Sequence, residues 1–113
     1  MSSGGRPAGL VDLEDLDAVF GALAHQSRRT MLVVLLARGG RMTSGELAGR
    51  FDCSWPTTTR HLRVLEAAGL VSAQPMGRER VYVLNRDRLR RVAGGWIARF
   101  EDGAAAGPRS DPG

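Results

Sequence analysis

The stretch Asp52-Cys53-Ser54-Trp55-Pro56-Thr57-Thr58-Thr59-Arg60-His61-Leu62-Arg63-Val64-Leu65-Glu66-Ala67-Ala68-Gly69 decides the fold. It reads as one short helix with both ends marked. Ser54 suits the N-cap, because its hydroxyl can accept an unpaired amide of the first turn. Pro56 falls in that turn, where a missing N–H is not needed. Gly69 can take the left-handed conformation that ends a helix. Between these ends Thr58, Leu62, Leu65 and Ala68 recur at helical spacing and form a narrow apolar stripe. The opposite face carries Trp55, Pro56, Thr59, Arg60 and Arg63. Hydroxyls, an aromatic ring and two guanidiniums backed by an apolar stripe suit the major groove of DNA. In isolation the segment reads as a solvated amphipathic helix; its surroundings reverse that reading.

Before it, residues Thr43 to Phe51 predict a short helix, opened by the capping-box pattern Thr43-x-x-Glu46, with Leu47 and Phe51 turned inward. The link Asp52-Cys53 is very short. Two short helices joined by a tight turn, the second carrying the polar face, make a helix-turn-helix pattern. After Gly69 the period becomes alternating. Leu70 to Gln74 and Arg80 to Leu84 flank Pro75-Met76-Gly77-Arg78-Glu79, which predicts a β-hairpin with a basic tip. Such a hairpin is a wing, with Arg78 and Arg80 placed to reach backbone phosphates or a minor groove.

Further out, Gln26 to Arg38 is a helix with broad apolar content, stopped by Gly39-Gly40. Arg28-Arg29 near its start reads as solvated or intrahelically paired, with a phosphate contact as the alternative. Asp12 to Ala24 is a helix with the stripe Leu13, Leu16, Phe20, Leu23. Asn85 caps a last helix to about Phe100, on which Leu89, Val92, Ala93, Trp96, Ile97 and Phe100 share one face. That stripe exceeds what a small domain needs to close its core. A second copy is therefore expected to cover it, with Leu13, Leu16 and Phe20 on the same interface. Gly94-Gly95 costs about 1 kcal/mol per glycine inside a helix and marks either a close approach or a kink. The Gly/Ser/Pro-rich start and the Gly/Ala/Pro/Asp-rich end predict disordered tails at 1–10 and 102–113, leaving a single domain at 11–101.

The net charge is +4 over 113 residues, and every basic residue is an arginine. From His25 to Arg91, 13 arginines stand against five acids, a local balance of +8, while both ends are acidic. Basic charge concentrated around the central helix is the footprint of a nucleic-acid binder. One cysteine excludes an intrachain disulfide and a multi-cysteine zinc site within one chain. No apolar run approaches a membrane span and the N-terminus lacks a signal-peptide core, so no membrane contact and a cytoplasmic location are expected.

In this order of elements, Phe20-Gly21-Ala22-Leu23-Ala24-His25-Gln26-Ser27-Arg28-Arg29 resembles the opening of the ArsR/SmtB family of bacterial winged-helix repressors. Also similar are Thr43-Ser44-Gly45-Glu46-Leu47-Ala48, Ser54 to Leu62, Leu65-Glu66-Ala67-Ala68-Gly69-Leu70-Val71 and Gly77-Arg78-Glu79-Arg80-Val81-Tyr82. The resemblance spans residues 15 to 100. It implies a mainly α fold with a β-hairpin wing, a winged helix-turn-helix assembled as a homodimer on its first and last helices. It also implies double-stranded DNA as partner, one recognition helix per half-site. The expected DNA-contacting set is Ser44, Ser54, Trp55, Pro56, Thr57, Thr59, Arg60, Arg63, Arg78 and Arg80.

Metal-sensing members of that family carry Cys-x-Cys on the third helix, where this chain has Glu46-Leu47-Ala48-Gly49. Others use Asp, His and Glu on the last helix, which here offers Asp87, Glu101 and Asp102 without histidine. Metal sensing therefore does not carry over, no cofactor is expected, and no inducer is legible. His61 reads as a partly buried structural histidine, and His25 as the opening of the second helix. Trp55 reads either as a base-edge or sugar contact or as packing under the wing. Cys53 precedes a helix N-terminus, which can lower a thiol pKa, so a redox-sensing repressor is the alternative it raises. No nucleophile-base-orienter set, phosphate loop or catalytic carboxylate pair can be assembled, so no enzymatic role is expected. A winged-helix protein-interaction module is the second function class; the local basic charge favours DNA.

Overall fold

A computed structural model of the chain describes the backbone of residues 8–51 and 53–106, and side chains from residue 13 to residue 101 apart from position 52. Helices α1 (Ala8–Leu23) and α2 (Gln26–Ala37) lead into a short strand β1 (Arg41–Thr43) and helix α3 (Ser44–Ala48). Helix α4 (Trp55–Ala67) follows, then strands β2 (Val71–Met76) and β3 (Glu79–Leu84). The chain closes with α5 (Arg86–Leu89), a π-helical turn (Arg90–Gly94) and α6 (Gly95–Ala106).

Both ends of α4 form as its residues dictate. Ser54 accepts at its hydroxyl from Thr57 N, and Pro56 lies in the first turn. At the other end Gly69 has φ +78°, Leu70 N donates to Leu65 O and Gly69 N to Glu66 O, which closes the last carbonyls. Thr58, Leu62, Leu65 and Ala68 are all buried. Leu62, Leu65 and Ala68 join Val19, Met31, Leu35, Leu47 and Leu70 in one core shared by α1, α2, α3, α4 and the sheet. Burying such a stripe supplies most of the stability of a helix this short.

The wing is tighter and wider than alternation predicts. Its strands run to Met76 and from Glu79, so only Gly77-Arg78 is left as the turn, with Gly77 at φ +62°. Glycine at the first of two turn positions is the type II′ pattern. Pro75 lies within β2, an edge strand, where a missing N–H is tolerated. β1 adds a third antiparallel strand, order β1-β3-β2, pairing Arg41 with Val83 and Thr43 with Val81. Three residues are too few to display alternation, and the partner strand lies far along the chain.

Three other expectations are corrected. The helix predicted over Thr43 to Phe51 ends at Ala48, because Gly49 closes it; the link to α4 therefore begins at Gly49 and not at Asp52. The last helix is interrupted by the π-helical turn. That turn rotates the downstream stripe relative to the upstream one, since it takes an extra residue per turn. Ala93, expected at a dimer interface, is instead buried in the chain's own core, and Leu89 and Val92 pack against that core, ahead of the point where the stripe is rotated. A Cβ on Gly94 or Gly95 would meet nothing within 4 Å, so neither marks a close approach inside the chain. Finally, α1 begins at Ala8 and α6 reaches Ala106, inside the stretches expected as tails. The remaining tail expectations, at 1–7 and 107–113, lie outside the described residues.

Candidate nucleic-acid interface

Three of the expected contact residues are joined by hydrogen bonds on the solvent face of α4. Ser54 Oγ accepts from Thr57 N at 3.3 Å and donates to Thr57 Oγ1 at 3.1 Å. The Arg60 guanidinium donates to the same Thr57 oxygen at 3.3 Å. Thr57 Oγ1 accepts twice, which leaves its own proton for an outside acceptor. The tether draws the exposed Arg60 guanidinium back toward the N-terminal end of the helix, the end that meets base edges when such a helix enters a major groove. Trp55, Pro56 and Arg63 are exposed on the same helix. Trp55 keeps 38% of its surface, enough to present a ring edge to solvent.

Thr59 is placed otherwise than expected. Its Oγ1 is buried and has no hydrogen-bond partner, which withdraws the hydroxyl from the outer face. The next residue after the buried Thr58 lies on the flank of the stripe, and its branched side chain turns inward there. Cys53 is a half-buried free thiol 3.2 Å from Thr58 Oγ1. That hydroxyl donates to Ser54 O at 3.0 Å, which makes the thiol the donor.

Ser44 is also engaged within the chain: its Oγ accepts from Arg80 N at 3.2 Å and joins the first turn of α3 to the wing. Arg78 and Arg80 both remain exposed at the side chain. Thr43 and Glu46 close the capping box, with Glu46 N to Thr43 Oγ1 at 3.1 Å and Thr43 N to Glu46 Oε1 at 2.9 Å. The Thr43 backbone bond holds the Glu46 carboxyl below the ordinary carboxylate range, with help from Arg38 at 3.4 Å.

What seats the recognition helix was not legible in the sequence. Arg88 donates from Nε to Ala68 O at 3.1 Å and pairs through a second nitrogen with Asp15 at 3.3 Å, so α5 clamps the end of α4 against α1. Asn85 adds a bond to Gly69 O at 3.1 Å while also capping α5 through Arg88 N. Arg28 donates to Ala22 O at 2.8 Å and Gly21 O at 3.3 Å, and its remaining nitrogen lies 3.2 Å from His61 Nδ1. Arg29 caps Leu23 O at 2.8 Å. The arginine pair thus closes the end of α1, not a phosphate. The one available signal was general: last-turn carbonyls favour cations.

His25 caps α2 through Nδ1, and its ring lies against that of His61, centroids 4.5 Å apart and planes tilted by 53°. Burial depresses the His61 pKa below its ordinary value, and the charges of His25, Arg28 and Arg60 depress it further. Among the described residues no three His, Cys, Asp or Glu side chains gather closely enough to hold a metal ion. No helix among them is long and apolar enough to cross a membrane.

The face carrying Leu13, Trp96, Ile97 and Phe100 remains largely uncovered. Phe20 packs edge-on against Trp96 at 5.4 Å, and Trp96 against Phe100 at 4.7 Å. Yet Leu13 keeps 57% of its surface, Trp96 39%, Ile97 51% and Phe100 60%. A groove of about 250 Å³ beside them is lined by Leu16, Val92 and Trp96 together with Arg91 and Arg99.

Residues 23–72 match the helix-turn-helix domain family. The chain is 36% identical over 85 residues to the transcriptional repressor SdpR of Bacillus subtilis, covering 75% of this chain and 91% of SdpR. It is also 36% identical over 87 residues to the uncharacterized HTH-type transcriptional regulator YuzN of the same organism, covering 72% and 94% of the two chains. Among solved structures, an ArsR family transcriptional regulator superposes with a TM-score of 0.72 at 30% identity, over 82% of this chain and 93% of that one.

Proposed function

This chain belongs to the ArsR family of winged helix-turn-helix transcriptional regulators, and from that premise we propose that it is a homodimeric repressor of an inverted-repeat operator. The observation that carries the reading is the Ser54–Thr57–Arg60 relay on the exposed face of α4. A guanidinium held by a neighbouring hydroxyl is pre-oriented for bidentate contact with a guanine edge. Arg78 and Arg80 flank it in the wing and supply phosphate contacts that set register. The similarity to SdpR supports repression.

Dimerisation follows from the α1–α6 face. Leu13, Trp96, Ile97 and Phe100 are too large and too exposed for a lone chain. A symmetric pair covers them and sets two recognition helices one helical turn apart, about 34–36 Å. No metal is invoked: the positions where metal-sensing relatives hold thiols carry Glu46 to Gly49 instead.

Gel-shift titration against the promoter DNA upstream of its own gene tests the reading. The expected result is tight binding to one imperfect palindrome, weakened by salt and unaffected by stoichiometric zinc, cadmium or arsenite. Equal affinity for promoter and random DNA would sink the operator assignment. No affinity for either would return the chain to the protein-interaction class.

A further inference from the structure

Among the basic residues of the wing stands one acid, Glu79, next to the turn residue Arg78 and before Arg80. Its Oε1 accepts from Gly45 N at 3.0 Å, across 34 residues of sequence. Gly45 lies in the first turn of α3, whose amides have no partner inside the helix. Thr43 takes the amide of Glu46, and Glu79 takes that of Gly45. One residue on, Arg80 N donates to Ser44 Oγ at 3.2 Å. The first turn of α3 therefore holds the wing by two adjacent bonds, one to a carboxylate and one to a backbone amide. The approach is close: a Cβ on Gly45 would stand 3.0 Å from Glu79 Oε1.

We propose that Glu79 is a positioning residue, latching the wing to the helix-turn-helix so that Arg78 and Arg80 meet DNA phosphates at a fixed angle to α4. The proposal rests on the DNA-binding reading above. Its physical content is a sign. An unlatched carboxylate beside DNA repels phosphate, so its removal strengthens binding. A latching carboxylate orders the two cations on either side of it, so its removal weakens binding although the protein becomes more positive.

Next to α3 the wing is also held by the pairing of β3 with β1, Thr43 with Val81. That ladder ends at Val81, before Arg80, and beyond it Glu79 and Ser44 hydrogen-bond the wing to α3.

The test compares Glu79→Ala, which removes charge and acceptor, with Glu79→Gln, which keeps an acceptor carbonyl. Amide hydrogen exchange at Gly45 and Arg80 is read first, in the free protein. Loss of protection at both sites in Glu79→Ala, retained in Glu79→Gln and with an unchanged melting midpoint, is the expected result. Unchanged exchange in Glu79→Ala overturns the latch whatever the DNA does. Operator titration over a salt series is read second. In Glu79→Ala the slope of log affinity against log salt is expected to fall by about 2, one for each wing arginine no longer held to a phosphate. Footprint protection should vanish at the outer edge of each half-site, and Glu79→Gln should restore both. Tighter binding by Glu79→Ala with an intact footprint overturns the proposal and makes the acid a plain repeller. Wild-type protein that binds no operator, with the exchange result as expected, refutes the DNA-binding reading and leaves the latch standing.

Discussion

The Arg28 guanidinium lies 3.2 Å from His61 Nδ1, joining the first turn of α2 to the middle of the recognition helix. Its other nitrogens hold the last carbonyls of α1, at Gly21 and Ala22. Arginine has no acceptor, so His61 Nδ1 must be the unprotonated nitrogen. One side chain thereby connects α1, which carries the exposed Leu13, to the helix that carries Arg60, and it requires a neutral imidazole.

That requirement fixes the sign of a pH effect. The folded-state pKa of His61 is depressed by burial and by His25, Arg28 and Arg60, so the unfolded chain takes up the proton first as pH falls. Stability through this group is complete above its ordinary value of 6.5 and is lost as pH falls from there through the depressed folded value. His61→Gln should flatten this part of the profile. Denaturant midpoints between about pH 5 and pH 8 check it; an unchanged slope in the variant refutes the assignment.

Arg60 and the wing arginines should separate by specificity. Arg60→Ala should cost about 1–3 kcal/mol and relax preference at one operator position per half-site. Arg78→Ala should weaken every sequence alike and lower the salt slope by about one. Titration of operator and single-position variants reads both; identical, sequence-independent losses would remove Arg60 from base recognition.

Truncating the exposed aromatic face should dissociate the dimer. Phe100, 60% exposed and touching Trp96, is the cleaner site, because Trp96 also packs on Phe20. Phe100→Ala should weaken self-association by about 2 kcal/mol or more if it anchors the interface. Sedimentation equilibrium measures this, and a wild-type monomer at micromolar concentration would dismiss the interface itself.

Gly69→Ala should destabilise the fold. The position has φ +78°, and an added Cβ would stand 3.0 Å from Arg88 Nε. Left-handed backbone costs about 1–2 kcal/mol for a residue with a Cβ, and displacing Arg88 loosens the end of α4. Urea unfolding gives the stability change; a cost no larger than an ordinary surface substitution would show that the end of α4 is not held there.

The recognition helix was readable because everything that makes it is local. Ser54 reaches Thr57 across three residues, the Leu65–Leu70 closure spans one turn, and the stripe Thr58, Leu62, Leu65, Ala68 follows from helical period alone. The wing was readable as a hairpin for the same reason, since alternating runs flank a local glycine turn, while its two-residue turn and register were not. Tertiary packing decided the rest. Glu79 finds Gly45 across 34 residues, Arg28 finds His61 across 33, and Arg88 finds Ala68 across 20. Each of these partners is a backbone group or a ring that any long polar side chain could satisfy. β1 exists only because β3 is brought beside it. The inward turn of Thr59 and the division of the last stripe into a buried Ala93 and an exposed Phe100 depend on where neighbouring elements stop. Hydrogen-bond geometry and side-chain period act between near neighbours and are written in the chain. Long side chains take their partners from the packing of whole elements, and that is settled only when the core closes.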